Sequence, residues 1–194
     1  MNYEIVDYGC LTESQKMQAV ELFMDGFGHF MTFSKDGDIK RNLLKDIFHP
    51  TLFKCYVDGG RVLGMIGIAT NQERPLNFDY TSCVKYFGEF KGGILSRQMN
   101  SIFQTQVVKS EKELYIDVLA TSRNARRQGI GTALLNYAFG LKEYDVYSIE
   151  VLSNNQPAVK MYEKIGFAVE KKEKFSLMRL LGAGYPVKMK YTEA

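Results

Sequence analysis

Apolar residues recur along the chain at intervals of two in some stretches and of three and four in others. These periods predict strands and helices in alternation. Residues 2–8 read as a first strand. Thr12-Glu13-Ser14-Gln15 opens a helix as a capping box, and Met17, Val20, Phe23, Met24 and Phe27 then fall on one side. A second amphipathic helix carries Ile39, Leu43, Leu44, Ile47 and Phe48 and stops before Pro50. Residues 52–57 and 61–69 form two strands joined at Asp58-Gly59-Gly60, whose glycines suit a tight hairpin turn.

Residues 71–110 predict a helical insertion, with a short helix within 79–90 and Leu95, Met99, Ile102, Phe103 and Val107 at roughly helical spacing after it. Residues 114–121 read as a strand. Residues 129–142 form a helix with Ile130, Leu134, Leu135, Ala138 and Leu141 inward, and 147–153 form another strand. A short helix at 157–165 has Pro157 in its first turn and Gly166 as a left-handed cap. Residues 175–181 and 187–191 form a last pair of strands. The run Glu170-Lys171-Lys172-Glu173-Lys174 reads as a solvated strand end or turn. The alternation predicts one three-layer α/β domain, spanning residues 1–194, around a mixed central sheet.

At 194 residues the chain can bury one sizeable core, and its 45% hydrophobic and 24% charged residues are ordinary for a globular protein. A net charge of +3 is too weak to argue for a nucleic-acid partner. Cys10, Cys55 and Cys83 form no CxxC pair, which suits reduced, buried thiols in a cytoplasmic protein. Glu4 and Asp7 interrupt the N-terminus, so no secretory signal is expected, and no stretch is apolar enough to span a bilayer. His29 and His49 stand apart from any paired Cys/His spacing, so no metal site is expected.

The stretch with chemical potential is Arg126-Arg127-Gln128-Gly129-Ile130-Gly131-Thr132, which links a strand to a helix. Glycines at a helix start let backbone pass close to a ligand. The free N–H groups of the first turn and the helix dipole favour a phosphate there, and Arg126 and Arg127 add charge. The same residues also suit a glycine-rich loop that merely opens a helix. A P-loop is excluded, because no GxxxxGK string exists, and so is a dinucleotide fingerprint, because Leu134 stands where its third glycine belongs.

Residues 114–167 resemble the core of the GNAT superfamily of N-acyltransferases. Arg126, Gly129 and Gly131 match its Q/R-x-x-G-x-G/A loop, and Asn155, Ala158, Tyr162, Gly166 and Phe167 match its N-x-x-A and Y-x-x-x-G-F pattern. The resemblance implies a central sheet splayed where the pantetheine arm of CoA enters. Backbone groups of Leu119, Ala120 and Thr121 would pair with that arm, and Asn155 would hydrogen-bond it. Acetyl-CoA is then the co-substrate, without a metal, and an amine attacks it directly in a ternary complex. The resemblance makes Tyr162 the acid for the departing thiolate and places Phe27, Phe30 and Met31, beside His29, at the acceptor pocket.

An amine acceptor requires a base, because less than about a thousandth of a lysine amine is neutral at pH 7. Asp117 and Glu150, carboxylates on the two central strands, are the candidates, and Asp117 is expected to share a strand face with Tyr115 and Leu119. The histone-acetylating branch carries its carboxylate where Tyr115 stands, which argues against a histone-like acceptor. Expected partners are a small-molecule or protein amine and a second copy of the chain in a homodimer. A non-catalytic acetyl-CoA-sensing module is the alternative.

Overall fold

The computed structural model describes residues 3–174 and 184–192. Their elements run β1 (Tyr3–Asp7), α1 (Glu13–Phe27), α2 (Gly37–Ile47), β2 (Phe53–Asp58), β3 (Arg61–Ala69), α3 (Tyr80–Phe103), β4 (Glu113–Thr121), α4 (Ile130–Phe139), β5 (Val146–Leu152), α5 (Gln156–Ile165), β6 (Ala168–Lys172) and β7 (Pro186–Thr192). The strands form one sheet in the order β1-β2-β3-β4-β5-β7-β6. Among the described residues only β4 and β5 pair in parallel.

Strand alternation gives the sheet two apolar faces, and each buries a separate core. On one face Val20 and Phe23 of α1, Leu43 and Leu44 of α2 and Phe78, ahead of α3, pack on Phe53 and Cys55. On the other, Leu134 and Leu135 of α4 and Tyr162 of α5 pack on Ile116, Tyr147 and Ile149. This is the expected three-layer α/β arrangement. Among the described residues no helix is long and apolar enough to cross a membrane.

Local chemistry sets the ends of these elements. Thr12 and Gln15 complete the capping box of α1, and Asp36 caps α2 through the N–H groups of Asp38 and Ile39. The hairpin turn places Gly59 and Gly60 at φ 55° and 76°. α4 ends at Phe139, short of the predicted residue 142, because Gly140 follows and is a poor helix former.

At Gly64 the absence of a side chain lets α4 lie against β3. A Cβ there would stand 2.5 Å from Ile130 Cγ2 and 3.1 Å from Leu134 Cδ1. Gly64→Ala is therefore expected to destabilise the fold by roughly 1–3 kcal/mol through overpacking. A urea midpoint equal to that of the unmodified chain would contradict this.

The insertion is helical, as expected, but α3 breaks at Gly88 (φ 74°, ψ 168°). Its first half is tied to α2 where Lys85 and Tyr86 both reach the Asp46 carboxylate. Its second half is tied to the chain ahead of it, where Ser96 and Asn100 donate to the Phe78 carbonyl at 2.7 and 3.1 Å.

The charged run is the solvated strand end expected of it: residues 170–172 are the exposed last residues of β6, which among the described residues pairs with β7. Glu170 there meets Lys188 and Lys190 of β7, and charge on an edge strand blunts its pairing with other chains. The strand expected at 175–181 lies outside the described residues.

Candidate active site

β4 loses one neighbour halfway along its length. Its pairing with β5 ends at Ile116 opposite Ile149, although pairing with β3 continues to Thr121 and β5 remains paired with β7 to Leu152. A gap therefore opens between the two parallel strands. The Ser122 N–H donates to the Leu63 carbonyl at 2.9 Å, which fixes the antiparallel alternation: Ser122, Ala120 and Val118 exchange bonds with β3. Backbone groups of Leu119 and Thr121 face the opposite way, into the gap. Those of Ala120 face Met65 of β3, so Ala120, unlike its two neighbours, has no backbone pairing to offer a ligand.

The ladder also skips a residue, since Gly67 stands opposite Val118 and Ile68 opposite Ile116. Asp117 is the extra residue of this β-bulge. The bulge corrects the expectation that Tyr115, Asp117 and Leu119 share a face. Leu119 packs against the core under α4, whereas Val118 joins the core under α1 and α2.

Beyond Thr121 a short turn at Arg123–Ala125 leads to α4, with Ala125 buried as its anchor. Arg126, Arg127 and Gln128 are exposed. Arg127 takes φ 63°, and Gly129 takes φ 83° as a left-handed N-cap without any side-chain cap. The N–H groups of Ile130, Gly131 and Thr132 in the first turn are thus left for an external acceptor. Gly131 is buried, and a Cβ there would lie 3.4 Å from Met161 Sδ. Asn155 caps α5 by accepting from the Ala158 N–H at 3.4 Å. Its side-chain amide keeps its donors.

Of the acid–base candidates, Tyr162 is 5% exposed and packs its ring against Phe167. Burial holds its phenol well above the ordinary value. Its hydroxyl has no hydrogen-bond partner among the described residues, although buried polar groups normally find one.

Glu150 lines a cleft of about 540 Å³ with Tyr115, Val107, Glu173 and Lys188. Glu150 is exposed at the mouth of this cleft, but the walls around it remove enough water that desolvation, then the charge of Glu173, pushes its carboxyl above the ordinary value, with Lys188 opposing. It makes no ion pair among the described residues. Asp117 is engaged differently. Arg74 Nη2 donates to Oδ1 at 2.7 Å, and Nε donates to Oδ2 at 3.0 Å. Burial drives the Asp117 carboxyl up, and the guanidinium opposes that shift.

The aromatic stretch after α1 divides. Met31 is 2% exposed in the core, so packing claims it instead of an acceptor pocket. Phe27 stacks on Phe23 and is only partly buried, while Phe30 is exposed and lies against His29. None of the three lines the cleft of Glu150. Sequence reasoning missed Arg74. Its one local signal is an arginine before Pro75, inside a segment of otherwise unassigned polar residues.

Comparison with known proteins bears on this geometry. A model of the acetyltransferase (GNAT) family matches residues 18–167. No curated protein sequence matches the chain. Among solved structures, an N-acetyltransferase from Staphylococcus aureus Mu50 superposes with a TM-score of 0.65 at 16% identity, covering 97% of this chain and 100% of that one. The NatC complex bound to Gag peptide and CoA gives 0.60 at 17% identity over 100% of both chains. Arabidopsis thaliana Naa50 in complex with the bisubstrate analogue CoA-Ac-MVNAL gives 0.59 at 14% identity over 99% of both. At such identities the likeness establishes the fold. The family match spans most of the chain, including the elements that frame the β4–β5 gap and the uncapped helix, and the chain therefore belongs to the GNAT family of acetyltransferases, which use acetyl-CoA.

Proposed function

We propose that the chain transfers acetyl from acetyl-CoA to a primary amine by direct attack in a ternary complex. One observation carries this reading: the open edge of β4 is joined, through the loop of residues 122–129, to the uncapped N-terminus of α4. Leu119 and Thr121 can pair with an extended arm, and the amides of Ile130, Gly131 and Thr132, with Arg126 and Arg127 beside them, suit a pyrophosphate. The residues present thus fit the co-substrate, which supplies an activated acyl group.

The chain's own groups perform the rest. The Leu119 N–H stabilises charge that develops on the thioester oxygen. Glu150 takes a proton from the attacking nitrogen, directly or through water. As the new C–N bond forms and the C–S bond breaks, Tyr162 gives its hydroxyl proton to the departing sulfur. A phenol is protonated at neutral pH, and burial holds that of Tyr162 further on the protonated side; with no hydrogen-bond partner among the described residues, its proton is left for transfer.

Free-thiol release from acetyl-CoA over a panel of small amines, polyamines, aminoglycosides, amino acids and peptide N-termini tests the proposal. At least one amine should accelerate release. Stabilisation by CoA with no amine-dependent release would instead mark a sensing module. Tyr162→Phe should lower kcat by about 10²-fold while CoA affinity stays within a few-fold. Part of the rate should return with an acyl donor whose thiol is more acidic. An unchanged kcat would reduce Tyr162 to a packing residue.

A further inference from the structure

Arg74 divides its whole guanidinium between two separate parts of the chain, β4 and the end of α3. One edge grips the bulge residue Asp117 through bonds of 2.7 and 3.0 Å. The remaining nitrogen, Nη1, donates to the carbonyls of Ile102 and Thr105, each at 3.2 Å. The first is in the last turn of α3 and the second just beyond it. Both partners of the ion pair are nearly sealed from solvent, with side-chain exposures of 11% and 13%. An exposed ion pair could be dismissed as incidental. Here a planar fork is satisfied on every side, its carboxylate edge largely shielded from water, and a lysine could not reproduce it.

The grip lies at a decisive point of the sheet. Asp117 is the first residue of β4 beyond the last β4–β5 pair, and it is the residue the β3 ladder skips. Its position therefore sets the turn of the strand that brings Leu119 and Thr121 to the gap. The same guanidinium fixes the chain leading to Val107, which lines the cleft with Tyr115 and Glu150.

The geometry points to Arg74 as a positioning residue: acting through Asp117, it holds the β4 bulge that aims Leu119 and Thr121 into the gap and anchors the insertion to the same spot. This rests on the gap being the acyl-donor seat. It assigns Asp117 to architecture and leaves proton transfer to Glu150. Arg74 touches neither acyl donor nor amine.

The test measures kcat, KM for acetyl-CoA and calorimetric CoA binding, using the most active amine of the panel. The chains compared are the unmodified chain, Arg74→Ala, Arg74→Lys, Asp117→Asn and the Arg74→Ala/Asp117→Asn double variant. Arg74→Ala should lose at least tenfold in kcat with a smaller rise in KM for acetyl-CoA, because Leu119 and Thr121 lose their aim while the phosphate-facing loop is intact. The double variant should be no worse than the poorer single one, as for two parts of one unit. Guanidinium chloride at non-denaturing concentration should restore part of the kcat of Arg74→Ala but none of that of the double variant. Should Arg74→Ala not fold, Arg74→Lys carries the test: it keeps the charge without the fork and should still lose kcat.

Wild-type kcat in Arg74→Ala or Arg74→Lys would overturn the proposal. So would a far larger loss in Asp117→Asn than in Arg74→Ala, since that would make Asp117 a chemical participant. Failure of the unmodified chain to bind CoA or release thiol would defeat the proposed function, and with it this role for Arg74.

Discussion

Replacing Gly131 by glutamate is expected to abolish CoA binding, with a loss on the order of 10³-fold. Gly131 is the second residue of α4, its N–H is among those the helix leaves unpaired, and no side chain caps this end. A carboxylate there would occupy or oppose the position of a phosphate. Losing two charge-assisted hydrogen bonds, at about 1.5–3 kcal/mol each, is enough for a change of that size. A longer side chain at 131 must leave between Met161 Sδ and Thr121 Cγ2, which a Cβ would meet at 3.4 and 3.9 Å. Gly131→Ala is the control: its contacts are ordinary, so the chain should stay folded and keep most of its affinity. Calorimetry with CoA reads both, and near-normal binding by Gly131→Glu would place the pyrophosphate elsewhere.

The second large effect concerns Glu150. Glu150→Gln should lower the acetylation rate of a strongly basic amine by about 10²–10⁴-fold, the span covered by general acid–base groups. The pH profile distinguishes this from a steric effect. A base works only when deprotonated, and the Glu150 carboxyl lies above its ordinary value because of desolvation and the Glu173 charge. In the unmodified chain kcat/KM should therefore climb with pH through that raised value. In Glu150→Gln this limb should vanish, leaving only the rise from the growing neutral fraction of the amine. A less basic amine should lose less, because more of it is already neutral. A profile unchanged by the substitution would remove Glu150 from the chemistry.

These two sites differ in how readable they were from sequence. The α4 loop was legible because its chemistry is local. Glycines, arginines and a helix start lie within a few residues, and their backbone geometry follows from residue type. Helix caps and the hairpin turn were legible for the same reason. The bulge at Asp117 was not, because nothing in the alternation of β4 marks a skipped residue. It decides which backbone groups face the gap, and so separates Ala120 from Leu119 and Thr121. Arg74 was invisible for a related reason: it meets Asp117 across 43 positions, and no short spacing encodes such a contact. Met31 looked like a pocket residue because aromatic, glycine-punctuated stretches can line pockets or pack cores, and only the tertiary structure shows which.

The strand order has a consequence for how the chain is made. β7 lies between β5 and β6, although both precede it in sequence. During synthesis, β1 to β4 and the helices α1 to α3 can close as a contiguous unit, since each strand's neighbour has already emerged. β5 then leaves the ribosome with one edge bare, and β6 finds its partner among the described residues only when residues 186–192 arrive. A stop signal just before β7 would leave two unpaired strand edges, the kind of surface that draws chains into aggregates. Glu150 faces the cleft from β5 and Lys188 lines it from β7, so the surroundings of Glu150 are completed only when β7 has been translated.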